Sequence, residues 1–317
     1  MGVKRLLARL RGRPLHPMES PTPQVAPAAP YVSRTWFSAD GLLLHARDYP
    51  PAAGPAKLPV ICIPGLTRNA ADFEDIAPWI ASQGRRVLAV DLRGRGGSAW
   101  DPKPLNYIPP TYANDVLGLM DAAGVSRAVF VGTSLGGIVT MLLATLRPAA
   151  IAAAVLNDVG PSLNPDALRR IGGYAGRNPD VTDWEGAAAY AQAVNGAAFP
   201  AYGPEQWRAF ARRLFSEGPD GRPRLAYDPE IGAQMRAAGP NPAAPDMSPL
   251  FLALAAGRPL LLVRGGLSDL IDPPRVAAMR AMAPQMTVAE VPDVGHAPML
   301  DEPEARAGLE ELLERAP

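Results

Sequence analysis

The stretch "VFVGTSLGGIVTMLLATLRP", Val129 to Pro148, decides the fold. A valine-rich run ends in Gly132-Thr133-Ser134-Leu135-Gly136 and passes directly into a helical pattern. On one reading this is a tight strand-to-helix turn in which Ser134 caps the helix. On the other it is a G-x-S-x-G nucleophile turn, in the strand–turn–helix context that motif requires. The glycines suit so sharp a turn, because side chains there would collide with the neighbouring strand and helix. A serine hydroxyl is a weak nucleophile at neutral pH. It needs a base in hydrogen-bond reach, a group orienting that base, and donors where an oxyanion forms.

Outward from this turn, apolar runs alternate with helical patterns. Strands are expected at Tyr31–Phe37, Leu42–Asp48, Pro59–Ile63, Arg86–Asp91, Ala128–Gly132, Ala152–Asn157, Pro259–Arg264 and Thr287–Val291. Helices are expected near Asp72–Gln83, Tyr112–Ala123, Gly136–Leu146, Arg275–Ala283 and Glu304–Arg315. "RVLAVDL", "AVFVGTS" and "PLLLVRGG" are apolar throughout, as in strands buried on both faces. The pattern predicts an α/β fold with a mostly parallel, eight-stranded, doubly wound sheet, and an antiparallel hairpin at one edge. Between Asn157 and Pro259 the rhythm breaks. That stretch carries helical patches such as "DWEGAAAYAQAV" and many aromatic residues, and it predicts a helical lid. The expected organisation is an extension at 1–30, a first core part at 31–160, the lid at 161–256 and a second core part at 257–317.

Composition narrows the function classes. Lysine plus arginine and aspartate plus glutamate balance at 31 each, which gives no case for nucleic acid as a partner. No apolar run approaches the ~20 residues of a membrane-spanning helix. The basic start, "MGVKRLLARLRGRPLHPM", lacks the apolar stretch of a secretory signal, and "PMESPTPQVAPAAP" reads as a proline-rich tether. A single cysteine, Cys62, excludes an internal disulfide and fits a reducing, cytoplasmic setting. Its place in "LPVICIPG" makes it a core residue rather than a reactive thiol.

Three histidines are available: His16 in the tether, His45 in an edge strand and His296 in "VPDVGHAPMLDEPE". Only His296 falls in a loop after the last expected strand, at the sheet's carboxyl edge where Ser134 also lies. The acid should come between them in chain order. "LLLVRGGLSDLIDP" offers Asp269 and Asp272; Asp269, sooner after the strand, is the preferred acid, and Asp272 reads as a helix cap. Asp158, in "VLNDVGP", is a rival whose simpler reading is a turn residue bonded to local backbone.

With these residues in view, the chain resembles the α/β-hydrolase superfamily, in its lid-bearing serine esterase and lactonase branch. The resemblance runs from about Tyr31 to Arg315. It rests on "IPGLTRNAADFEDIAPWIASQGRRVLAVDLRGRGGS", "VGTSLGGIVTMLLA", "LLLVRGGLSDLIDP" and "VGHAPMLDEPE" in that order. It implies Ser134 as nucleophile, Asp269 as acid and His296 as base, with the backbone N–H groups of Leu66 and Leu135 as the oxyanion hole. It implies acyl transfer to water, no cofactor, no metal, and a small-to-medium ester or lactone as substrate. One departure is that the family usually has His-Gly where this chain has Pro64-Gly65, which alters how that loop is held. Arg68 and Asn69 follow the loop; Arg68 is a candidate grip for a substrate carboxylate or carbonyl, with a surface salt bridge an equal alternative. Arg93 reads as a loop-fixing residue.

Other chemistries share the scaffold. Ser134 argues against dehalogenases and epoxide hydrolases, which resemble this chain but use a carboxylate nucleophile. Carbon–carbon bond hydrolases of ring-cleavage pathways commonly carry Asn before the serine and Trp after the histidine, where this chain has Thr133 and Ala297. A ligand receptor retaining the triad is the reading from another class, and turnover of short esters separates it from an enzyme.

Overall fold

The computed structural model describes residues 30–233, 236 and 245–317. The basic N-terminal stretch, His16 and most of the proline-rich tether lie outside the described residues. All eight expected strands form, as one sheet. They are β1 (Val32–Phe37), β2 (Leu43–Tyr49), β3 (Val60–Ile63), β4 (Val87–Asp91), β5 (Ala128–Thr133), β6 (Ile151–Asn157), β9 (Leu260–Gly265) and β10 (Thr287–Val291). Their spatial order is β1-β2-β4-β3-β5-β6-β9-β10. The β1–β2 and β2–β4 pairings are antiparallel, and every other neighbouring pair is parallel.

The continuous apolar runs are explained by burial on both faces. Along β3, β4, β5 and β6, alternate residues point to opposite sides. Ile61, Ile63, Leu88, Val90, Phe130, Ala154 and Leu156 join one core cluster, with side chains of α2 (Pro109–Ala122) and α3 (Leu135–Leu146). Val60, Cys62, Val87, Ala89, Val129, Val131, Ala153 and Val155 join the other, under α1 (Ile76–Ser82) and the C-terminal helix α9 (Pro303–Arg315). Complete burial pushes the Cys62 thiol up, so it stays protonated and inert. The last turn of α9 is closed by Arg85, whose guanidinium donates to the carbonyls of Leu313, Ala316 and Pro317. Cationic donors are favoured at such a helix end.

Between β6 and β9 the chain forms helices α4 (Pro165–Tyr174), α5 (Trp184–Asn195) and α6 (Pro204–Leu214), then a hairpin of β7 (Phe215–Glu217) and β8 (Pro223–Leu225). Phe199, Tyr202, Trp207 and Phe210 stack together there, with ring centroids 4.7–6.4 Å apart. The following helix α7 (Ser248–Ala255) falls within the expected lid range of 161–256. It packs instead against α3, as the crossover helix from β6 to β9. Helix α8 (Pro273–Met282) then leads to β10.

The turn between β5 and α3 brings the helix start against the end of β3. A Cβ at Gly136 would sit inside van der Waals contact of the Ile63 carbonyl, a backbone atom that cannot swing away. Overpacking against backbone is at the costly end of such changes. Gly136→Ala is therefore expected to lower unfolding stability by at least about 2 kcal/mol, read as a lower urea midpoint at unchanged slope.

Candidate active site

Strand β5 delivers Ser134 at φ 51°, a left-handed conformation rare for a side-chain-bearing residue. The strain is held by pairing: the Ser134 N–H donates to the Asn157 carbonyl at 2.9 Å, and the Ser134 carbonyl accepts from the N–H groups of Gly137 and Ile138. Such over-determined strain is typical of functional sites. The serine hydroxyl thus stands at the carboxyl edge of the sheet, at the start of α3.

His296 reaches it from the loop between β10 and α9. Its Nε2 lies 2.9 Å from Ser134 Oγ, and its Nδ1 lies 2.7 Å from Asp158 Oδ2. Asp158, the first residue after β6, is fully buried and also takes a left-handed φ of 53°. Its carboxylate accepts from the Ser268 hydroxyl at 2.6 Å and the Gly265 N–H at 3.1 Å, besides the imidazole. An acid so bonded is fixed in direction.

The expected partner of His296 was Asp269, and here the structure differs. Asp269 is half exposed and forms a two-pronged ion pair with Arg170 of α4, at 2.7 and 2.8 Å. Partial burial works to raise the Asp269 carboxyl, but the bonds and charge of Arg170 outweigh it and hold it below its ordinary value. At the end of β9 a glycine, Gly265, stands beside Asp158 and gives it an amide instead of competing with a carboxylate. The register explains the choice. Thr133 pairs with Asn157 on the adjacent strand, so the residues that follow them, Ser134 and Asp158, are neighbours across the sheet edge. An acid directly after the strand beside the serine strand was the available signal in "LNDVGP".

Asn157 was also missed. It is fully buried, and its side-chain amide donates to Thr133 Oγ1 at 3.1 Å and to the Pro298 carbonyl at 2.8 Å. It thereby joins the serine turn to the histidine loop.

Leu66 and Leu135 are the residues the resemblance implies as oxyanion donors. Leu135 is the first residue of α3, so its N–H has no intrahelical acceptor. Leu66 lines the same pocket as Ser134 and His296, and a Cβ at the preceding Gly65 would lie 3.7 Å from that of Ser134. Loss of the family's His at position 64 is met by other ties. Arg95 Nε donates to the Leu66 carbonyl at 2.5 Å, and Asp91 accepts from the Ala70 N–H at 2.7 Å. Arg68 lines the pocket too, over the Phe210 ring at 4.1 Å, while its Nε and Nη2 bind Asp72. Asn69 caps the turn at Ala71 and donates to the Arg213 carbonyl, so its side chain is structural. Arg93 is buried among Asp40, Asp101 and Asp115, fixing the loop after β4.

A second hydroxyl–imidazole–carboxylate chain makes an instructive contrast. His45 lies 2.8 Å from Ser33 Oγ and 2.7 Å from Asp91 Oδ2. Ser33, however, sits in an exposed edge strand with ordinary ladder pairing, not at a strained turn before a helix. His45 therefore serves as a bridge between the edge hairpin and the loop after β4.

Among the described residues, no three His, Cys, Asp or Glu side chains converge as a metal site would need, and no helix is long and apolar enough to cross a membrane.

The strained turn, the doubly wound sheet and the hydroxyl–imidazole–carboxylate chain at its carboxyl edge define a hydrolase of the α/β class. Residues 60–309 match the model of the alpha/beta hydrolase family, and the chain belongs to that family. Across 265 residues it is 36% identical to a 3-hydroxybutyrate-oligomer hydrolase of Cupriavidus necator, covering 82% of this chain and 90% of that protein. An alpha/beta hydrolase from Novosphingobium aromaticivorans superimposes with a TM-score of 0.84 at 44% identity, over 91% of this chain and 99% of that one. An E-2-(acetamidomethylene)succinate hydrolase superimposes with a TM-score of 0.73 at 25% identity, over 90% and 98%.

The contrast between the two serines is directly measurable. A fluorophosphonate followed by peptide mass spectrometry is expected to label Ser134 at least ~10²-fold faster than Ser33, the margin that oxyanion donors supply.

Proposed function

We propose that the protein is a serine hydrolase that cleaves a carboxylic ester through an acyl-enzyme. The observation that carries this reading is the chain Ser134 Oγ–His296–Asp158, at 2.9 and 2.7 Å. His296 Nε2 takes the hydroxyl proton as Oγ attacks the ester carbonyl, and Asp158 holds the imidazole and balances the charge it gains. The Leu66 and Leu135 amides receive the oxyanion. His296 returns the proton to the departing alcohol, and water then attacks the acyl group by the same route to release the acid.

The substrate reading is a short oligoester of hydroxy acids, or a small ester or lactone of similar size. Similarity to the Cupriavidus protein favours the oligoester. The pocket supports a compact, largely apolar chain, since Phe73, Ile171, Tyr174, Phe199, Phe210 and Met299 surround the polar centre. Arg68 is proposed to meet a substrate carbonyl or carboxylate with the guanidinium edge that Asp72 leaves over. The insertion of α4 to α6 acts as the lid that closes the pocket.

Steady-state turnover of p-nitrophenyl butyrate and of a 3-hydroxybutyrate trimer tests the reading. Ser134→Ala is expected to remove all turnover above background, and turnover equal in wild type and variant would reject it. Asp158→Asn is expected to lower kcat by ~10⁴-fold, while Asp269→Asn changes it less than ~10-fold. The reverse ranking would restore Asp269 as the orienting acid.

A further inference from the structure

Four arginines are buried in the sheet region; two have carboxylate partners and a third meets the carbonyl end of a helix. Arg93 holds three carboxylates, Arg264 pairs with Glu290, and Arg85 ends on the carbonyls at the C-terminus of α9. Arg95 differs. It is 0% exposed, yet among the described residues no carboxylate is within ion-pair distance of it. Its bonds go to neutral groups only: Nε to the Leu66 carbonyl at 2.5 Å, Nη1 to the Arg93 carbonyl at 2.7 Å, and Nη2 to the Tyr112 hydroxyl at 3.2 Å. The Tyr112 ring adds a face 4.9 Å from the guanidinium carbon. An arginine is always charged, and a buried charge without a partner is costly enough to call for an explanation.

The explanation lies in where the charge is aimed. We propose that Arg95 is a positioning residue for the oxyanion site: it holds the loop by the Leu66 carbonyl and leaves a fixed positive charge beside the proposed oxyanion donor. This rests on the reading of Leu66 as an oxyanion donor, given above. Pro64 supplies no backbone N–H to this loop, whose other ties lie at Gly65, Asn69 and Ala70, on either side of Leu66. Nε takes the Leu66 carbonyl, so the peptide unit next to the one carrying the proposed donor N–H is held in place.

Arg95 is itself held rigidly. Its N–H donates to the Leu92 carbonyl, its carbonyl accepts from Ser98, and it bridges to Tyr227 after the β7–β8 hairpin. The adjoining Gly96 N–H donates to the Ala226 carbonyl. A charge fixed before reaction costs no reorganisation as the oxyanion forms, which is the condition for electrostatic stabilisation to act.

The test compares Arg95→Met, which removes charge and bond, with Arg95→Lys, which keeps the charge. Two readouts are used. One is the rate at which Ser134 is phosphonylated by a fluorophosphonate: Oγ bonds to phosphorus, fluoride leaves, and the serine proton passes to His296. The other is the split between kcat and KM for p-nitrophenyl butyrate. Arg95→Met is expected to slow phosphonylation and kcat by at least tenfold with KM within threefold, and Arg95→Lys to fall between it and wild type. A folded Arg95→Met within twofold of wild type, or Arg95→Lys no faster than Arg95→Met, overturns the proposal. Should Arg95→Met fail to fold, Arg95→Lys alone decides it: a three- to tenfold loss at a thermal midpoint near that of wild type supports the role, and an unchanged rate rejects it. Phosphonylation does not depend on the natural substrate. A wild type that is labelled at Ser134 but turns over no ester would therefore reject the ester reading and still leave the Arg95 comparison decisive.

Discussion

The parallel register of β5 on β6 is the constraint from which the site follows. Thr133 faces Asn157, so each chain leaves the sheet one residue later with a reactive or ionisable group: a hydroxyl at 134 and a carboxylate at 158. Both residues take left-handed backbone, and both are held there by backbone bonds, Ser134 to Asn157 and Asp158 to Val263. A slip of one residue would turn every apolar side chain of β6 to the opposite face. The two cores, each closed by its own helices, forbid that slip. The chemistry is thus registered by hydrophobic packing well below it.

Distances alone do not make a reactive serine. Ser33–His45–Asp91 reproduces the spacing of Ser134–His296–Asp158 to within 0.1 Å at each link. What separates them is the surrounding backbone. Asp91 also caps the amides of Ala70 and Gly97, and its network ties an edge hairpin to a loop. Ser134 instead starts a helix, where unpaired amides and the helix dipole converge on any negative charge that develops.

Much of this was legible in the sequence. The eight strands, their parallel order and the nucleophile turn are written in local patterns: apolar runs, glycines at the turn and helical periodicity after it. Ser134 and His296 could be placed because each had no competitor in its window. The acid could not, because Asp158 and Asp269 both follow strands at the same sheet edge, and only pairing between distant strands decides which of them meets the imidazole. Asn157 and Arg95 were hidden for a related reason. Their roles are bonds to the Pro298 and Leu66 carbonyls, and backbone carbonyls leave no mark in a sequence. The end of the insertion was misread at α7, whose apolar composition suits a crossover helix and an insertion helix equally.

The insertion is tied to four of the loops at the carboxyl edge of the sheet. Asn69 after β3 bonds the Arg213 carbonyl, Gly94 and Gly96 after β4 bond Asp228 and Ala226, Leu270 after β9 accepts from Asn164, and Gly295 after β10 donates to Ala198. The Asp269–Arg170 pair adds to the third of these ties. Exposed on both sides, it is worth at most about 1 kcal/mol. That small value does not make Asp269 available to His296. To orient the imidazole it would have to leave Arg170 and displace Asp158, whose buried carboxylate is fixed from three directions, where breaking such a set costs several-fold more than a surface pair returns. The asymmetry in burial between the two carboxylates therefore accounts for Asp158, and not Asp269, lying against the imidazole.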